Sequence, residues 1–308
     1  MDFKLPFGDW AEAVVLFLLD HAQWLFDGID VAIGAVADGV QTALTSLPGV
    51  VLAGLVVLIG LWRVGWRFGL FAALSLLVVA GLGMWNQMVD TLALVLTATT
   101  VALILGIPVG IWSARNDRIE AVVRPVLDLM QTMPAFVYLI PAAMLFGLGR
   151  VPGTIATIIF SMPPVVRLTS LGIRQVPHEL VEAGLAFGCT PRQLLVRVQM
   201  PTALPSIMAG INQTIMLSLS MVVIASMIGA GGLGNEVLRG IQRLDIGQGF
   251  EGGLAVVILA VLLDRITQSF GNRKPEDRKS RLSWSALAAR RKAGAEKSSL
   301  ADGAIEAG

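Results

Sequence analysis

Glu182, Ala183 and Gly184 stand together, Gly188 follows after three residues, and Val198-Gln199-Met200-Pro201 closes the stretch after nine more. A carboxylate beside residues without bulk can make a charge-assisted bond while another backbone comes close. That is docking chemistry, not bond-making chemistry. From Glu179 to Phe187, Leu180, Ala183, Gly184 and Phe187 fall on one helical face. Thr190-Pro191-Arg192-Gln193 then reads as a fresh helix start, with Thr190 as N-cap, Pro191 in the first turn and Gln193 placed to close a capping box. The expectation is two short helices joined at a Gly-Cys-Thr corner, with Pro201 and Pro205 limiting or bending the chain beyond. The hairpin could dock into a partner's groove or pack back on its own chain.

Patterns for covalent or metal chemistry are missing. There is no Gly-x-x-x-x-Gly-Lys-Ser/Thr phosphate loop, no Gly-x-Ser-x-Gly and no His-Glu-x-x-His. Cys189 is the one cysteine, and His21 and His178 are far apart with no ligand pattern, so neither a metal nor another cofactor is expected. The chain reads as no enzyme by itself.

The hairpin lies between hydrophobic runs. With 308 residues, 55% hydrophobic, 15% charged and a mean hydropathy of +0.74, the chain falls outside the soluble range. A net charge of +1 gives no argument for nucleic acid. Seven apolar runs read as membrane spans: Val50–Trp62, Phe68–Leu82, Val89–Ser113, Val122–Phe146, Val151–Leu171, Ala203–Ile228 and Gly252–Phe270. Residues 9–47 read as one or two amphipathic helices at an interface, and the start does not read as a cleavable signal peptide. After Phe270 the chain turns polar, and residues 271–308 are expected to be a disordered tail with no fused binding domain. Because charged, glycine-rich backbone cannot sit in lipid, the Glu182 segment must lie in water or against protein.

Orientation follows from the cations. One set of alternate loops holds Arg63, Arg67, Arg115, Arg118, Arg124, Arg174, Arg192, Arg197 and the tail from Arg273. The other holds Lys4, Arg150, Arg239 and Arg243. The richer set faces the cytoplasm, which puts the N-terminus outside and the C-terminus inside.

Polar residues inside spans need a reason. Asn212, Gln213, Thr214, Ser218 and Ser220 either bond between helices or line a pathway. Asp128 and Arg167 near cytoplasmic span ends read as a pair or as topology signals, as do Asp264 and Arg265. Gly229, Gly231, Gly232 and Gly234 break the sixth span at the outer face, ahead of a short helix over Asn235–Leu244. That segment is either an external gate or a passive turn. Phe136, Tyr138, Phe146 and Phe160 are scattered along the sequence and form no evident cage for a quaternary ammonium.

The Glu182 stretch resembles the cytoplasmic EAA loop of type I ATP-binding-cassette importer permeases, matching at Glu182, Ala183, Gly188 and Pro201. It departs at Gly184, Val198 and Met200. Other stretches are similar to the ProW-like branch for glycine betaine, proline betaine and choline: Gly106-Ile107-Pro108-Val109-Gly110, Gln131–Tyr138, Met227–Gly234, Leu238–Gly247 and Leu263–Thr267. The resemblance covers about residues 88–270 and implies an all-α membrane protein of the type I importer transmembrane fold. The division it implies is an outer segment at 1–47, two additional spans at 48–87, a permease domain at 88–270 with a coupling loop at 174–201, and a cytoplasmic tail. It implies an inner-membrane permease subunit that moves a quaternary-ammonium osmolyte in osmoprotection, without an ATPase site of its own. The partners it implies are two ATP-binding subunits, a second permease copy read as a homodimer, and a periplasmic or lipid-anchored binding protein, in a lipid membrane. Glu182, Ala183, Gly184, Phe187, Gly188 and Pro201 would couple to the ATPase. An ion-coupled secondary transporter is the alternative; it would need paired half-helices and a midplane ionisable residue, and neither is evident.

Overall fold

The computed structural model describes residues 7–271, in which every regular element is helical. In chain order these are α1 (Phe7–Thr45), α2 (Gly49–Arg63), α3 (Trp66–Gly81), α4 (Trp85–Arg115), α5 (Asp117–Thr132), α6 (Leu139–Phe146), α7 (Arg150–Ser161), α8 (Pro163–Arg174), α9 (His178–Ala186), α10 (Pro191–Leu194), α11 (Met200–Ala225), α12 (Leu233–Arg243) and α13 (Ile246–Gly271). Lys4 and the tail from Arg273 lie outside the described residues.

All seven apolar runs are helical, but they do not make seven straight spans. Four helices cross by length and composition alone: α4, α7 with α8 as one 25-residue rod, the 38 residues Pro191–Ile228, and α13. Two bent pairs raise the count to six. The run at 122–146 is broken by 109° between α5 and the helical stretch Ala135–Phe146. The cause is local: Pro134 forces Met133 into extended backbone (φ −70°, ψ 134°), which a helix cannot continue through. The other pair is the latter part of α1 with α2, bent by 95° at Pro48. The sixteen residues of α3 form a shorter apolar helix. Over 9–47, where one or two helices are expected, α1 ends at Thr45 and consists of two helical pieces joined at a kink where Ala22 leaves helical backbone (φ −122°, ψ 17°).

The core is a sandwich of α4, α8 and α11, and small residues allow their close approach. A methyl on Gly106 would lie 2.6 Å from Val165, and one on Gly110 2.7 Å from both Thr169 and the Val166 carbonyl. Gly172 faces Ser206, and Gly210 faces the Leu168 side chain and Val165 backbone. In a bilayer, where lipid is as apolar as the side chains, such tight contact is the main source of helix association. The pairings set direction. Position 106 meets 165 and 110 meets 169, so α4 and α8 are parallel; 172 meets 206 and 168 meets 210, so α8 and α11 are antiparallel. Two parallel rods need a return path between them, and the bent α5–α6 pair supplies it.

The bundle therefore has two distinct ends. Ser113 and Arg174 meet at one of them. The α2–α3 turn joins that end, since Arg63 donates to the Ser269 carbonyl (3.2 Å) and its guanidinium lies 4.2 Å from the Phe270 ring centre. At the other end, Gly149 donates to the Ile228 carbonyl (2.8 Å), and Arg150 pairs with Asp38 (3.6 Å) and Gln41. Arg63 and Arg174 thus lie at one end of the bundle and Arg150 at the other.

Candidate functional site

The loop after α8 starts from an anchor. Arg174, in the last turn of α8, donates to the Ser113 carbonyl at the end of α4 (2.9 Å) and pairs with Asp117 (2.8 Å) and Glu120 at the start of α5. One guanidinium fork thereby ties three helix ends, using the donor geometry that lysine lacks. A cation also suits the carbonyl end of α4.

Beyond it, α9 ends in a Schellman motif. Gly188 takes φ +76°, its N–H reaches the Leu185 carbonyl (2.9 Å), and the Cys189 N–H reaches the Gly184 carbonyl (3.0 Å). Space around Gly188 is open, so its glycine is required by backbone conformation. The capping box expected at Thr190 forms: its Oγ1 accepts from the Gln193 N–H (3.3 Å), and Gln193 Oε1 accepts from the Thr190 N–H (2.9 Å). Gly184 is buried inside the hairpin, where an added methyl would meet Leu194 at 2.7 Å. The loop therefore folds on itself through Gly184 and keeps its other face free.

That free face carries Glu182, Ala183 and Phe187, all exposed, with Phe187 at 89%. Among the described residues Glu182 reaches only His178 (3.1 Å), one turn back on the same helix. Pro201 sits apart, exposed, in the first turn of α11. Between α10 and α11 lies a π-turn, Leu195–Gln199, closed by the Met200 N–H on the Leu195 carbonyl. Pro201, which has no N–H, falls where the wider turn returns to α-helical register. The second leg of the hairpin is thus continuous with the transmembrane helix, contrary to the separate short helix expected. Over 38 residues the rod is about 57 Å long at 1.5 Å per residue.

The polar residues of α11 divide. Thr99 donates to Ser218 across the α4–α11 contact (3.3 Å) and so serves packing, whereas Ser220 is exposed and bonds its own helix at Met216. Gln213 is exposed, whereas Asn212 is half-buried with its Oδ1 unpartnered among the described residues. Arg167 pairs with Asp128 as expected, and Asp264 accepts from Gln268 (2.6 Å). Of the four aromatics singled out, Tyr138 meets Phe160 and Phe146 meets Phe26, two separate edge-on pairs that form no cage among the described residues.

At the other end, Gly229, Gly231 and Gly232 all take positive φ, turning the chain from α11 into α12. α12 begins at Leu233, two residues before its expected start. The turn is docked: Thr91 Oγ1 accepts the Leu233 N–H (2.8 Å), and a methyl on Gly232 would lie 2.5 Å from that oxygen. Gly234 lies flush on α11, 2.6 Å from the Val222 carbonyl by the same measure. Sequence reading missed Glu236, a buried carboxylate held by Arg239 (3.0 Å) and Gln248 (2.8 Å). Its signal was its place on the inward stripe with Leu233 and Gly240, at helical spacing.

The described residues thus form a multi-helix body with four to six candidate membrane spans, in which an exposed hairpin runs directly into one core rod. The family described as "Binding-protein-dependent transport system inner membrane component" matches residues 106–273. The glycine betaine/proline betaine transport system permease protein ProW of Escherichia coli is 49% identical over 268 residues, covering 87% of this chain and 75% of its own. The glycine betaine/carnitine transport permease protein GbuB of Listeria monocytogenes is 49% identical, covering 87% and 96%. Glycine betaine permease OpuAB of Bacillus subtilis is 45% identical, covering 88% and 96%. An inward-facing MetNI methionine ABC transporter superposes with a TM-score of 0.54 at 22% identity, covering 60% of this chain and 94% of its own, so the fold is shared. The chain belongs to the binding-protein-dependent inner-membrane component family: it is a multi-pass permease subunit of an ABC importer, and its ATPase is a separate partner.

Proposed function

We propose that this subunit imports glycine betaine or a related quaternary-ammonium osmolyte, such as proline betaine, choline or carnitine. Two copies enclose the pathway as a homodimer, two ATP-binding subunits seat on the hairpins, and an external binding protein delivers solute. Glycine betaine is the solute that the names of all three relatives share.

The observation that carries the reading is the weld between the loop and α11. A hairpin whose second leg is the core rod transmits displacement of Glu182 and Phe187 directly to the helix bearing Asn212 and Gln213. Rigid transmission of this kind suits switching between two packed states. In this reading loop 174–201 and the tail face the cytoplasm and residues 1–47 lie at the outer side. The Gly229–Gly234 turn with α12 is the external gate and receives the binding protein. Solute choice rests with that protein, since the aromatic pairs form no ammonium cage.

The test is uptake of labelled glycine betaine into proteoliposomes holding the permease, its ATPase and its binding protein. Uptake should need internal ATP and the binding protein, and should persist when ion gradients are collapsed. Uptake that survives without ATP and follows an ion gradient would establish the secondary-transporter alternative and overturn the reading.

A further inference from the structure

We propose that Gln41 is a positioning residue for the outer gate: it clasps α1 across the starts of α4 and α7, and so keeps the glycine turn seated between them. The proposal rests on the reading of that turn as the external gate and adds the element that holds it shut.

The stretch 228–233 is gripped from two sides. Thr91 on α4 accepts the Leu233 N–H, and Gly149, just ahead of α7, donates to the Ile228 carbonyl, at 2.8 Å in each case. Between these grips Ala230 rests on α7, where a methyl added to Gly153 would meet it at 2.6 Å. The residue beside each grip is charged: Asp90 precedes Thr91, and Arg150 follows Gly149. Gln41 joins the two. Its Nε2 donates to the Asp90 carboxylate (2.8 Å), and its Oε1 accepts from the Arg150 guanidinium. Asp38, about one turn back on α1, adds a longer contact to Arg150 (3.6 Å).

A side-chain amide suits this place because its donor end faces an anion and its acceptor end a cation, so both bonds are charge-assisted. Turning the amide over would set donor against donor and acceptor against acceptor, so the two neighbours fix its orientation. Arg150 needs such an acceptor, since as the first residue of α7 its cation stands at the positive end of that helix. Gln41, Asp90 and Arg150 are all half-buried, where charge is screened less than on the open surface. A turn wedged between two walls stays seated while the walls keep their distance. Gln41 sets that distance from a third helix, and parting the walls requires one of its bonds to break. Because α1 stands outside the α4–α8–α11 sandwich, the clasp can open without unpacking the core.

The experiment uses the permease–ATPase complex in nanodiscs, with the binding protein added or left out. Gln41→Met should speed hydrogen exchange at the Gly149 and Leu233 amides while the hairpin over 178–194 exchanges as in wild type. The same variant should raise ATP hydrolysis without binding protein about fivefold or more, and shrink the further stimulation that binding protein gives. Gln41→Glu keeps the bond to Arg150 but sets two carboxylates together, and should behave like Gln41→Met. Adding Asp90→Asn to Gln41→Glu exchanges donor and acceptor at unchanged net charge, and should return both readouts towards wild type. Exchange at Gly149 and Leu233 indifferent to Gln41→Met, or no rescue by Asp90→Asn, would overturn the clasp. Faster exchange with hydrolysis and uptake unchanged would instead leave the turn without a gating role, and so overturn the reading on which the clasp rests.

Discussion

The hydroxyl of Thr91 accepts the Leu233 N–H at 2.8 Å while donating to the Gln87 carbonyl at 2.9 Å, so one side chain joins residues 142 positions apart. It is the point at which the glycine turn is fixed to α4. Replacement by valine keeps the shape and leaves a buried N–H without an acceptor, at a cost of about 1–3 kcal/mol. Thr91→Val is expected to lower the thermal midpoint of the purified subunit, and Thr91→Ser to restore most of it. Equal midpoints for Thr91→Val and wild type would show the bond to be dispensable.

Gly232 occupies the same joint at φ +72°. Gly232→Val brings both backbone strain and a clash with the Thr91 oxygen. Binding-protein-stimulated ATP hydrolysis and uptake should both fall, each measured in proteoliposomes. If both persist unchanged, the turn is a passive connection.

At Gly188 the requirement is for left-handed backbone, since an added methyl meets nothing within 4 Å. Gly188→Ala should cost roughly 1–2 kcal/mol of hairpin stability. Asparagine, which tolerates that conformation, should retain more uptake than alanine, and valine should retain least. A ranking that follows side-chain size alone, with asparagine worse than alanine, would point to close contact with a partner instead.

Among the described residues Glu182 makes no polar contact beyond its own helix, so Glu182→Lys should leave expression, insertion and thermal midpoint as they are. Uptake should drop at least about tenfold, because a charge-assisted bond to the ATPase becomes a repulsion. ATPase co-purification gives the direct readout. Near wild-type uptake would remove Glu182 from the docking surface.

Cys189, the single cysteine, is half-exposed at the hairpin corner. A membrane-impermeant maleimide should label it in inverted vesicles and leave it unmodified in intact cells. Labelling from outside would put the hairpin out of reach of a cytosolic motor.

Features set by neighbours along the chain are legible in residue order alone. The capping box joins Thr190 to Gln193, three positions on, and the helix break at Gly188 follows from a Gly-Cys-Thr corner. The break in the fourth apolar run was also signalled, by Pro134 at its middle and by Arg124 and Asp128 in its first half, but average hydropathy across the run concealed it. Gly184 illustrates the opposite case. Its lack of a side chain suited docking to a partner, yet it is spent on Leu194 of the same hairpin.

By itself, then, the chain determined its helices, its membrane character and the presence of a hairpin between apolar runs, because hydrophobic runs, caps and glycine breaks act over one or two turns. Only the tertiary structure decided that Arg174 straps three helix ends, that Thr91 holds the Leu233 turn, that Glu236 is buried, and that Gln41 joins Asp90 to Arg150. Those relationships join residues tens to more than a hundred positions apart. They depend on how close one helix can come to another, which glycines at 106, 110, 172 and 210 decide only once their partners are in place.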